Sequence, residues 1–150
     1  MNKLLFKTNN DYTGLILRLT LGVVLLPHGM QKLLGSFGGF GFAGTMGFFT
    51  GTMHLPWIIG FLVIVIEFFG SLSLILGFAG RFWGISFSIL MVGIIFSSHI
   101  HNGFFMNWFG NLKGEGYEYF LLIIGLSVAL IFNGSGRYSI DEVISKSSKN

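Results

Sequence analysis

Glu67 sits near the middle of an apolar run from Trp57 to Ala79 that is long enough to cross a bilayer. A carboxylate at such depth costs at least ~2.5–3.5 kcal/mol, and is tolerated when protonated, paired or facing a wet cavity. In an apolar pocket it can hold and pass a proton, because burial and neighbouring charge set its protonation state. Several partners lie within reach of the same level. His28 and Lys32 are four residues apart and share a helix face. At ~1.5 Å rise per residue, Glu67 lies ~15 Å and His28 ~10 Å below one end of their runs, so side-chain reach can join them. His99 and His101 stand at the end of a third apolar run, Asn102 follows them, and Glu118 opens a fourth. Arg18 lies close to four turns before Lys32, on a similar face, and approaches Glu67 from the opposite end; it can equally snorkel to headgroups.

These residues define the candidate site. Glu67 and His28 are the candidate catalytic pair, and Arg18, Lys32, His99, His101, Asn102 and Glu118 are candidate ligand-binding residues. His99-x-His101 with His28 and Glu118 has the donor types of a nitrogen/oxygen metal site. A short His-x-His pair is common, however, and no metal site is assigned. Two histidines could also ligate heme, but there is no heme attachment motif.

The elements that must position these groups are apolar helices. The chain has 150 residues, of which 52% are hydrophobic and only 10% charged, against ~25% charged in an ordinary soluble domain. The expected fold is an all-α integral membrane protein, a bundle of four transmembrane helices over about Tyr12 to Leu34, Trp57 to Ala79, Phe82 to Ile100 and Tyr117 to Phe132. Residues 1–142 form the membrane domain and 143–150 a polar tail. The N-terminal apolar run is read as a retained helix rather than a signal peptide. Lys3, Lys7, Arg81, Arg137, Lys146 and Lys149 fall on one side, and only Lys32 and Lys113 on the other. The positive-inside rule then puts both termini in the cytoplasm. The scattered basic residues (net +3) give no support to nucleic-acid binding. Without cysteine the chain has no disulfide, thiolate ligand or thiol redox chemistry of its own.

Expected facing stripes follow helical spacing. They are Arg18, Gly22, His28 and Lys32 on the first helix, and Gly60, Ile64, Glu67 and Ser71 on the second. The third carries Gly84, Ser88, Met91, Ile95 and His99, and the fourth Glu118, Leu122, Gly125 and Ala129. The loop from Gly35 to Pro56 is rich in Gly and Phe and nearly uncharged. It suits a short interfacial or re-entrant helix from about Phe42 to Met53, or a connector lying on the headgroups. After Asn133, Ser139 can cap a short helix that starts with Asp141 and Glu142.

Taken in order, Arg18-Leu-Thr-Leu-Gly22, Pro27-His-Gly-Met-Gln-Lys-Leu33, Phe37-Gly-Gly with Phe42-Ala-Gly-Thr-Met, Glu67-Phe-Phe-Gly-Ser-Leu, His99-Ile-His-Asn-Gly-Phe-Phe, Gly114-Glu-Gly-Tyr-Glu-Tyr119 and Gly134-Ser-Gly-Arg-Tyr-Ser-Ile-Asp141 resemble the DoxX family. The likeness covers roughly residues 12 to 142. It implies a four-helix protein of the bacterial cytoplasmic (inner) membrane, of a kind associated with quinone-linked oxidoreductases and membrane oxidative-stress complexes. On that reading the chain supplies a quinone site or a membrane anchor to a redox partner subunit, or acts as a homo-oligomer. Glu67 would relay protons, His28 and His99 would bond the head group, and Lys32 would stabilise negative charge. Two other readings use the same residues: a non-enzymatic carrier for a small apolar or lipid-like molecule, and a scaffold for a partner protein.

Overall fold

The computed structural model describes residues 5–147, which are helical with no strand among them. Lys3 and Lys149 of the charge pattern and the last residues of the expected tail lie outside that range.

Helix α1 runs Tyr12–Leu34 and buries one stripe, Gly14, Arg18, Leu21, Gly22, Leu25 and Gly29. Asp11 caps it, its Oδ1 accepting from the Gly14 N–H at 3.1 Å. Helix α2, Gly41–Gly47, continues into a π turn, Phe48–Thr52, and packs on α1 and α3. Together they occupy the stretch expected to form a short helix. Helix α3, Trp57–Val65, passes through a π turn, Ile66–Gly70, into α4, Ser71–Leu76. Helix α5, Gly80–Ile94, ends in a third π turn, Ile95–His99, and a 3-10 turn, Ile100–Asn102. Helix α6 is Glu118–Asn133 and α7 is Ile140–Ser147.

Three continuous helical stretches, Tyr12–Leu34, Trp57–Leu76 and Gly80–Asn102, are long and apolar enough to cross a membrane. Helix α6 is apolar but has 16 residues. At ~1.5 Å per residue that is ~24 Å, short of the ~30 Å hydrocarbon core.

Neighbours close into a ring, with α1 on α4, α4 on α5, α5 on α6 and α6 on α1. Leu21, Leu25, Ile64, Leu74, Phe87 and Leu130 fill its centre. The expected stripe is buried at all four positions of α3–α4 and buried or half-buried along α5; on α1 Arg18 and Gly22 are buried but His28 is exposed, and on α6 the stripe fails. Leu122, Gly125 and Ala129 face outward, and the buried side is Ile123, Ser127 and Leu130. Helix α6 is apolar on every side, so periodicity alone does not choose between faces.

The end of the bundle near the termini is closed by side chains that satisfy helix ends. Arg18 is almost fully buried. Its guanidinium donates to the carbonyls of Leu74 and Ile75, at the end of α4, and to those of Ser135, Arg137 and Tyr138. Arg81 does the same for α6, donating to Ile131 and Phe132 and also to Lys7. Asp141 supplies the complement: its buried carboxylate accepts the Ala79 N–H at 2.7 Å, the Gly80 N–H at 3.0 Å and the Ser135 hydroxyl. Cations on orphan carbonyls and an anion on orphan N–H groups match the helix dipoles. Ser139 accepts the Glu142 N–H at 3.1 Å, forming the expected cap of α7.

Candidate functional site

At the other end, α3 and α5 diverge. Helix α5 meets α4 and the π turn at Ile66–Gly70 but makes little contact with α3 itself. The gap is a cavity of about 1020 Å³, at the upper limit of the ~300–1,000 Å³ usual for ligand sites. Its walls are apolar, including Leu25, Phe49, Ile59, Leu62, Leu90 and Ile123. Ile59, Leu62 and Ile89 line it while remaining exposed, so it opens sideways between the two helices.

Each of the π turns contributes to this cavity: Phe48 and Phe49 from the first, Ile66 and Glu67 from the second, Ser97, Ser98 and His99 from the third. A π turn carries an extra residue per turn and interrupts the regular side-chain stack, and such turns recur at functional sites. Here the interruption points a carboxylate and an imidazole into an apolar space.

Glu67 is 4% exposed. Lys32 Nζ stands 2.6 Å from its Oε2, an ion pair between α1 and the second π turn. Oε2 is buried, and Lys32 is the one cation on it among the described residues. The pair exists because α1 comes very close. A Cβ at Gly29 would fall 2.6 Å from the Phe68 backbone, and one at Gly22 would fall 2.9 Å from the Ser71 carbonyl. Small residues at such crossings let membrane helices meet backbone to backbone.

His28 and His99 also line the cavity. His99 Nδ1 is 3.2 Å from the Ile94 carbonyl. A carbonyl only accepts, so Nδ1 carries the proton and Nε2 remains available. Its ring lies 4.4 Å from that of Phe120, which fixes its tilt.

The structure thus brings together His28, Lys32, Glu67 and His99. It separates the other candidates from them. Arg18, expected to approach Glu67, is instead spent on backbone carbonyls at the far end. His101 is exposed and outside the cavity lining. Asn102 donates to the Glu115 carbonyl at 3.0 Å, and Glu118 Oε1 accepts from the Met106 N–H at 3.0 Å and the Trp108 indole at 3.3 Å. Both hold the 103–117 loop in place rather than lining the cavity. Tyr119 and Glu115 do line it. Tyr119 follows the acidic residue that opens α6, a position whose direction no spacing rule gave. Among the described residues no three His, Asp or Glu side chains converge as a metal site would require.

Comparison with known proteins places this arrangement. The DoxX family model matches residues 13–100. The chain is 29% identical over 136 residues to a Bacillus subtilis (strain 168) protein titled "Putative oxidoreductase CatD", covering 91% of this chain and 90% of that one. No solved structure matches. With its apolar spans and a family match over more than half its length, the chain is a multi-pass membrane protein that belongs to the DoxX family.

Proposed function

We propose that this chain is the membrane component of a quinone-linked oxidoreductase, and that its cavity takes up quinone or a similar small molecule. The observation that carries the reading is Glu67: a buried carboxylate paired to Lys32 in the wall of an apolar cavity open toward lipid. The name of the Bacillus relative supports an oxidoreductase role.

The residues present suit a quinone. Apolar walls accept a ring and tail, and His28, Lys32 and His99 add donors to the lining. When bound, a quinone supplies exchange of electrons and protons. Lys32 would offer an ammonium N–H to a carbonyl oxygen, His28 and His99 Nε2 would orient the head, and Glu67 would hold or release a proton at Oε2. We further place four crossings of a bacterial inner membrane, with both termini cytoplasmic, residues 1–142 as the membrane domain and 143–150 as its tail. Helix α2 would lie as an interfacial or re-entrant cover, and α6 would complete its crossing with the aromatic loop before it. A redox partner subunit or a second copy would complete the assembly.

The test is mass spectrometry of small molecules that co-purify with the detergent-solubilised protein. Stoichiometric quinone, lost in Glu67→Gln and His28→Ala, is the expected result; a folded wild type that neither retains nor binds added quinone would overturn it. The sideways opening favours a second reading, a carrier of a small apolar molecule. Ligand flux in liposomes without any redox partner would distinguish that case.

A further inference from the structure

A second, smaller pocket of about 270 Å³ lies on the other side of Lys32, among Gln31, Gly38, Gly39, Phe40 and Thr45. The residues common to its lining and that of the large cavity are Lys32, Phe48 and Phe49. Lys32 is therefore the one polar side chain in the shared wall. Its side chain is 26% exposed, whereas that of Glu67 is 5% exposed. The small pocket is lined by the buried Thr45, the half-buried Gln31 and glycine backbone, with the exposed Gly38 and Phe40 at its mouth. The two spaces differ in position: the small one lies at the loop end of the bundle, with an amide, a hydroxyl and an ammonium set among three phenylalanines, and the large one is open between α3 and α5.

We propose that the small pocket is an aqueous port, and that Lys32 carries protons across the wall between it and Glu67. The Lys32 ammonium gives one proton to the Glu67 carboxylate, leaving a neutral amine and a neutral acid. The amine regains a proton from water in the small pocket, and the acid releases its own to an acceptor in the large cavity. One proton enters, one leaves, the pair returns to its charged state, and no electron moves. The close approach of Nζ to an oxygen that has no other donor provides the transfer distance. The other titratable groups around the large cavity are His28 from α1, His99 from the end of α5, Glu115 from the loop and Tyr119 from α6. Helix α2 and its π turn place no titratable group in either lining.

The port rests on the quinone reading for its purpose but not for its existence, and the two fail separately. The chain has no cysteine, so single-cysteine variants report accessibility directly. In nanodiscs, Gln31→Cys in the small pocket should react with a charged, water-soluble thiosulfonate. Leu62→Cys in the large cavity should react with a lipid-soluble maleimide and resist the charged reagent. Infrared spectroscopy then follows deuterium exchange at the carboxyl band that disappears in Glu67→Gln. Attaching the thiosulfonate group to Gln31→Cys after folding should slow that exchange about tenfold or more. A Gln31→Cys that reacts only with the lipid-soluble reagent would overturn the port. So would exchange unchanged by the adduct, or a Glu67 that shows no protonated band down to the acid limit of folding. Absence of quinone with the labelling pattern intact would overturn the function reading and leave the port standing.

Discussion

Gly29 on α1 lies against Phe68 with no room for a methyl group between the two backbones. Lys32 is three residues further along the same helix, and Glu67 is the neighbour of Phe68. The glycine contact therefore sets the separation of the ion pair. Gly29→Ala should push α1 outward and cost about 1–3 kcal/mol, as overpacking does elsewhere. Thermal unfolding in detergent would show it against Gly125→Ala, whose added methyl meets nothing within 4 Å.

Removing Lys32 alone should hurt more than removing both charges. Lys32→Met leaves an uncompensated buried carboxylate, a change that costs about 3–5 kcal/mol in comparable buried pairs. Adding Glu67→Gln should restore most of the loss. A double-mutant cycle of unfolding free energies measures the coupling, and additive effects would show that the two charges do not interact.

Arg18→Lys should not substitute for arginine. The guanidinium fork serves five carbonyls from two segments of chain, and a lysine ammonium has neither the reach nor the planar geometry. At about 1.5–3 kcal/mol for each hydrogen bond lost to a charged donor, the loss approaches total stability. Membrane-fraction yield should fall sharply for Arg18→Lys and stay near normal for Glu67→Gln.

Acid should loosen the end that carries the termini. The Asn133 amide, together with the Gly14 N–H, holds the Asp11 carboxyl below its ordinary value. A group depressed in the folded state stabilises above its unfolded pKa, and that stabilisation disappears as pH falls through the folded value. Asp11→Asn should remove this part of the acid sensitivity. Melting temperatures of the two proteins should differ most near neutrality and converge below the carboxylate range.

Much of this was legible in the residues. Glu67, His28 and Lys32 were found because depth and a four-residue spacing are properties of sequence. Gly22 was found because a small residue on a polar stripe implies a close crossing. Arg18 was misplaced because its partners are backbone carbonyls, which have no letter in a sequence. Gly29 was missed because the stripe was drawn through His28 and Lys32, and Gly29 lies beside that line rather than on it. The π turns were invisible, since the phase shift of one extra residue is lost in helices that are apolar on their outer faces as well. The outward face of α6 was chosen from Glu118, whose carboxylate turns to its own loop instead of continuing the helix stripe.

The three π turns bear on how this cavity could be gained or lost. Each is equivalent to a single residue inserted into an otherwise regular helix, with both flanks left in register. Deleting one residue between Ile66 and Gly70 would close the turn without rebuilding the bundle. A one-codon deletion could therefore yield a chain that still folds, still sits in its membrane and still ties its termini together through Arg18 and Asp141, but has no carboxylate facing the gap. Fold and site are separable in this architecture by the smallest length change a gene can make without losing its reading frame.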